Sequence, residues 1–250
     1  MSERDVTVII PAYNEEDRIG KTLRDLIDNM DTLARVIVVV DGNDRTEEIA
    51  RSFGPMVQVY RDAKRLGKGG AVLKGLELAE TEKICFTDAD GSTPWYEVKR
   101  LTDMLGRGME MIVGSRWMRD SRVKKKEPLL NIIAGRMFHY LNFLILGIRV
   151  KDTQCGMKCM TRDLAKELVK RVAVRDRTFD VSLIYNAMLL GATVREVGIE
   201  WTHDENTRMP ILHAVPFMLA AIVAMRLSHG RRSERIGPLL MRVYRNFRFY

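Results

Sequence analysis

Cysteine is scarce: the 250 residues hold three, Cys85, Cys155 and Cys159. Three thiols make no disulfide framework, and Cys155-x3-Cys159 lacks the two further ligands a structural zinc site needs nearby. The expectation is buried or half-buried thiols in a reducing cytosol. Internal repeats and low-complexity tracts are also missing. The opening residues Met1-Ser2-Glu3-Arg4-Asp5 are charged and lead at once into an apolar run, so no signal pattern is expected. Neither long apolar stretch reads as a clean membrane span, which needs about 20 predominantly apolar residues. Residues 129–146 carry Arg136 and His139, and residues 211–227 are short and interrupted by His213 and Pro216. The net charge is +8, yet the basic residues are spread and form no nucleic-acid-binding module, so nucleic acid is not expected as a partner.

What is present is ordinary for a globular protein: 46% hydrophobic and 30% charged residues, enough for one domain with a small appendage. The positive balance points to anionic partners, nucleotide phosphates or an anionic membrane surface. Short β-branched runs alternate with helical spacings. Val6–Ile10 reads as a buried strand ended by Pro11, and Asn14 with Asp17 three residues on has the spacing of a helix cap. Val36–Val40 closes on Asp41-Gly42, Val57–Tyr60 alternates, and Gly67-Lys68-Gly69-Gly70 opens a helix. Ile84–Phe86 leads into Thr87-Asp88-Ala89-Asp90-Gly91-Ser92, with Thr93 as N-cap and Pro94 at the first helical position. Met111–Ser115 is a fifth strand. This alternation predicts an α/β fold, a mostly parallel central sheet flanked by helices.

In such sheets ligands sit beyond the carboxyl ends of the strands. Polar clusters stand at four of those ends: Pro11–Glu15, Asp41, Asp88 with Asp90, and Arg116. Residues two apart in a strand point to one side, so Asp88 and Asp90 converge and repel unless a cation lies between them. Oxygen donors with open positions suit Mg²⁺ or Mn²⁺, and the alternative is a turn whose aspartates cap the next helix. The second half is less regular. A helix is expected over 129–146, with Asn131, Gly135, His139 and Asn142 as a narrow polar stripe on an otherwise apolar surface. Further helices are expected over 164–172 and 179–190, a strand over 194–201, and an apolar helix over 211–227. Wide apolar faces flanked by arginines fit helices lying in a membrane interface, although packing on the sheet or on a second subunit remains open.

In this order and spacing the motifs Val8-Ile9-Ile10-Pro11-Ala12-Tyr13-Asn14-Glu15, Val40-Asp41-Gly42, Gly67-Lys68-Gly69-Gly70, Thr87-Asp88-Ala89-Asp90-Gly91, Gly114-Ser115-Arg116 and Asp152–Lys158 resemble the family-two glycosyltransferases of GT-A (Rossmann-like) fold. Within them the chain is most similar to the polyprenyl-phosphate (dolichyl-phosphate) glucose and mannose synthases. The resemblance implies a domain over 1–205, with a nucleotide-binding half over about 1–117 and an acceptor half over about 118–205. Residues 206–250 would then be an apolar helix and basic tail at the membrane interface.

It also implies that Pro11, Tyr13, Glu15, Asp41 and Lys68 surround the nucleotide sugar. Asp88 and Asp90, with Ser92, would hold Mg²⁺ or Mn²⁺ on the diphosphate. Asp90, Arg116 and Asp180 would serve catalysis. Arg116, Lys126 and Arg136 would meet the acceptor phosphate. Ser182 stands where many relatives carry a glutamate, which leaves Asp180 as base, sugar ligand or helix cap. A phosphate acceptor, whose second pKa lies near 6, tolerates that loss better than a hydroxyl does. The expected activity is metal-dependent inverting transfer of glucose or mannose from UDP-glucose or GDP-mannose to a polyprenyl phosphate at the cytoplasmic membrane face. The rivals are a transferase with a soluble hydroxyl acceptor, a nucleotidyltransferase and a non-catalytic scaffold.

Overall fold

The computed structural model describes residues 4–125, 129–174, 178–203 and 215–228. The chain runs β1 (Val6–Ala12), α1 (Ile19–Asn29), β2 (Leu33–Val40), α2 (Thr46–Arg51), β3 (Val57–Arg61), α3 (Gly67–Leu78), β4 (Lys83–Phe86), α4 (Trp95–Asp103) and β5 (Met111–Ser115). It continues with β6 (Arg122–Lys125), α5 (Leu129–Leu146), β7 (Lys158–Thr161), α6 (Arg162–Arg171), α7 (Phe179–Leu189), β8 (Val194–Gly198), β9 (Glu200–Thr202) and α8 (Val215–Ser228). Seven strands form one sheet in the order β3-β2-β1-β4-β7-β5-β8, while β6 and β9 pair separately in parallel.

The sheet is buried on both faces, as continuous Val/Ile runs require. Alternation along β1 sends Val6, Val8 and Ile10 into one core, with Leu23 and Leu26 of α1 and Val98 and Leu101 of α4. It sends Ile9 into the other, with Val72 and Leu76 of α3, Leu168 of α6 and Ile184 of α7. Each such fully buried aliphatic side chain contributes roughly 1.5–3 kcal/mol.

Several local expectations give way to tertiary context. Pro11 does not end β1, which continues to Ala12. Odd residues of β1 turn their backbone toward β4, where Thr87 N–H donates to Ile9 O at 3.1 Å, and even residues toward β2, where Asp41 N–H donates to Ala12 O at 2.9 Å. Beside Pro11, β4 has already ended, so the missing N–H has no carbonyl to serve. Asn14 caps no helix. It adopts φ 56°, and its Oδ1 accepts the Asn43 N–H, tying the two loops together. The fourth helix starts one residue later than expected, with Pro94 rather than Thr93 at its N-cap. The strand expected over 194–201 divides between two sheets, as β8 and β9.

Two strands were not expected, the short β6 and the central β7. β7 lies antiparallel between β4 and β5, pairing Lys158 with Phe86 on one side and Val113 on the other. That register sets Cys159 opposite Cys85, and the structure joins these two as a disulfide. The expectation of separate thiols is therefore corrected for that pair. Cys155 is free and buried, and burial pushes its thiol up to about 12. Among the described residues no helix is long and apolar enough to cross a membrane, and the expected helix 211–227 is described only from Val215.

Candidate active site

All the strand-end clusters meet at one edge of the sheet. β7 is antiparallel, so its first residue, not its last, arrives at that edge; this is how Lys158 joins residues from parallel strands. After β1, Tyr13 is exposed and the Arg65 guanidinium lies 4.3 Å from its ring centre. After β2, Asp41 accepts backbone N–H bonds from Leu66 and Gly67, both 2.8 Å, and so fixes the start of α3. Pro11 is the next-to-last residue of β1 and half-buried at the same end of the sheet.

Lys68, in the first turn of α3, places Nζ 2.7 Å from Asp88 Oδ1. Burial raises the Asp88 carboxyl, but the Lys68 ammonium outweighs it and holds the group below the usual carboxylate range. Asp90 goes the other way: burial first, then the Asp88 charge, push it up. Asp90 Oδ1 accepts the Ser92 N–H at 2.9 Å. Ser92 Oγ is buried near this carboxylate without a hydrogen bond of good geometry. Glu15 also belongs here. Burial raises it to about 7 against the pull of Arg18, whose Nε donates to Oε2 at 2.7 Å, and the charges of Asp90 and Asp88 add to the rise.

Arg116 is held by Asp152, which is fully buried midway along the connection between α5 and β7. Its Nε and Nη2 donate to the two carboxylate oxygens at 2.7 and 2.8 Å, and its backbone N–H donates to Oδ2 at 2.9 Å. The guanidinium also stacks 5.1 Å from the centre of the Trp201 ring. Asp180, at the start of α7, is nearly buried and ion-paired with Lys158 Nζ, which also donates to the Cys155 carbonyl at 2.7 Å. Gly156, between these residues, packs directly against Asp88: a Cβ there would stand 1.8 Å from Oδ2.

The structure thus gathers Tyr13, Glu15, Asp41, Lys68, Asp88, Asp90, Ser92, Arg116 and Asp180 at one edge. Arg136 lies on the exposed side of α5. Lys126 falls outside the described residues. Asp152 and Lys158 had no role in the sequence reading, though both stand in a motif it singled out. Their function becomes visible only once β7 is known to turn back into the sheet.

A family model, Glycosyl transferase family 2, matches residues 7–169. The chain belongs to this family. It is a nucleotide-sugar glycosyltransferase. A dolichyl-phosphate beta-glucosyltransferase of Mus musculus is 29% identical over 234 residues, covering 86% of this chain and 71% of the relative. That of Drosophila melanogaster is 30% identical over 225 residues, covering 82% and 69%. Among solved structures, glucosyl-3-phosphoglycerate synthase from Mycobacterium tuberculosis, in complex with Mn²⁺, UDP and glucosyl-3-phosphoglycerate, superposes with a TM-score of 0.64 at 19% identity, over 90% of this chain and 79% of that one. This likeness shows the fold: the α/β arrangement is the GT-A one.

The donors present fit a divalent cation. Two converging carboxylates and a buried hydroxyl lacking a well-formed bond are hard oxygen ligands that leave coordination positions open. An ammonium already rests on Asp88, where a positive charge is favoured. Among the described residues no group of three or more His, Cys, Asp or Glu forms a closed metal cage.

Proposed function

We propose that the enzyme transfers glucose from UDP-glucose to a polyprenyl phosphate, with inversion, at the cytoplasmic face of a membrane. The observation that carries the acceptor half of this reading is the seating of α5. Gly135 of this helix abuts the indole of Trp117, the neighbour of Arg116: a Cβ there would stand 2.9 Å from Cζ2. The outward side of the same helix is apolar, with Met137 62%, Tyr140 64% and Leu144 75% exposed. A phosphate at Arg116 would have its hydrocarbon chain beside that surface. The names of the relatives, dolichyl-phosphate beta-glucosyltransferases, favour glucose and a lipid phosphate.

Mg²⁺ or Mn²⁺ held by Asp88 and Asp90, with Ser92, would neutralise charge on the leaving diphosphate. The chain's own groups do the rest. Asp41 fixes the turn that presents Lys68 to the donor, and Tyr13 with Arg65 offers a flat cationic face to the nucleoside. Asp152 holds Arg116 in a bidentate fork, so the guanidinium meets the acceptor phosphate without reorganising. That phosphate is largely deprotonated at neutral pH and attacks with little need of a general base. Asp180, paired with Lys158, lines the acceptor side.

The test is incubation with labelled UDP-glucose, GDP-mannose and UDP-galactose, a short polyprenyl phosphate and 3-phosphoglycerate, followed by identification of the product. Glucosyl-phosphoryl-polyprenol is the expected product. Transfer only to the soluble acceptor would overturn the proposal.

A further inference from the structure

Lys68 occupies the place where the sequence alone would put a metal. Its Nζ stands 2.7 Å from Asp88 Oδ1, and although the surroundings partly desolvate both groups, the side chains remain 41% and 38% exposed, so water and an incoming ion reach the pair. A lysine side chain swings on four rotatable bonds from a fixed backbone. The backbone here is fixed, since Asp41 clamps the N–H groups of Leu66 and Gly67 immediately before it. Lys68 also sits in the first turn of a twelve-residue helix, the end at which an anion is favoured. The ammonium therefore has two partners within one swing: the Asp88 carboxylate and an anion at the start of α3.

We propose that Lys68 is an internal cation that holds Asp88 until donor and metal arrive together: the metal displaces the ammonium from Asp88, and the ammonium moves to the donor's diphosphate. The inference rests on the reading of Asp88 and Asp90 as metal ligands. Its consequence is ordered loading. A free divalent ion must break the Lys68–Asp88 pair with nothing in return, whereas an ion arriving with a nucleoside diphosphate gives Lys68 a new partner. Metal and nucleotide therefore bind synergistically, and part of that synergy belongs to Lys68. By linkage, the nucleotide must gain from the metal the same factor that the metal gains from the nucleotide.

Calorimetric titration of the 250-residue chain with Mn²⁺, alone and with saturating UDP, tests this on the wild type, Lys68→Met and Asp90→Ala. Lys68→Met removes the competing charge at near-constant side-chain length. Mn²⁺ alone should bind this variant about tenfold more tightly than the wild type. The increase in Mn²⁺ affinity caused by UDP should shrink by about the same factor. If Lys68→Met binds Mn²⁺ alone no more tightly than the wild type, while Asp90→Ala loses Mn²⁺, the exchange fails and the metal site stands. An equal tightening with and without UDP would mean simple charge repulsion, and also sinks the exchange. If Asp90→Ala binds Mn²⁺ as the wild type does, the metal site itself fails and takes the exchange with it.

Discussion

A Cβ at Gly156 would stand 1.8 Å from Asp88 Oδ2 and 2.4 Å from its Cγ. The atoms in the way belong to a side chain, so a substitution is relieved by rotating the carboxylate rather than by unfolding the loop. Gly156→Ala should therefore keep the melting temperature within a few degrees of the wild type and weaken Mn²⁺ binding and turnover more than tenfold. A variant with normal turnover would show that Asp88 has no fixed orientation to protect. Glu15 gives a prediction in pH. Its carboxyl is raised from the ordinary 4.5 to about 7, chiefly by burial, so the folded state binds its proton more tightly than the unfolded chain does. This acid therefore favours folding fully below about pH 4.5, and that contribution is lost as pH rises through 7. Glu15→Gln should melt higher than the wild type at pH 8, with the difference closing toward pH 5. Parallel displacement of the two melting curves at every pH would rule this out.

At the scale of elements, the sequence of α5 shows a narrow polar stripe on an otherwise apolar surface and leaves open whether the apolar side meets a membrane or the rest of the fold. In the structure three residues of that stripe are on the packed side: His139 Nδ1 lies 3.1 Å from the Val150 carbonyl, Gly135 meets Trp117, and Asn142 is buried. Ile133, Met137, Tyr140, Phe143 and Leu144 are left outside, while Phe138, Ile145 and Leu146 pack on the core. Periodicity finds the helix and its bounds but cannot say which face the rest of the molecule covers, because that depends on a neighbour distant in sequence. In the proposed membrane contact this side of the helix would enter the acyl region. Each methionine or leucine that enters it gains roughly 1.5–3 kcal/mol. Placing aspartate at Met137 and Leu144 should thus lower the fraction floating with anionic liposomes at least tenfold and leave melting unchanged. Undiminished flotation would exclude α5 as the contact. The strand β7 escaped for a different reason. Its four residues begin with a lysine and hold too few alternations to signal a strand, and only the partners on either side make Lys158-Cys159-Met160-Thr161 one.

For the molecule as a whole, what was legible is the part governed by local pattern. The parallel strands β1 to β5 and the clusters at their ends follow from β-branched runs that stop at polar residues. Asp88, Asp90 and Arg116 were visible because a strand end determines where the next side chain lies. Asp152, which holds Arg116, Gly156, which packs against Asp88, and Lys158, which pairs with Asp180, come from a segment whose place is set by long-range pairing.

The central position of β7 bears on the order in which the protein becomes functional during synthesis. Residues 4–116 leave the ribosome carrying Asp88, Asp90, Lys68 and Arg116, but β4 then pairs only with β1 and presents its other edge uncovered. That edge closes, and Arg116 acquires its carboxylate, only after residues 152–161 emerge and turn back between β4 and β5. An open strand edge is a template for pairing with other chains. The nascent chain thus carries its reactive groups for some forty residues of translation before the strand that shields and arms them exists.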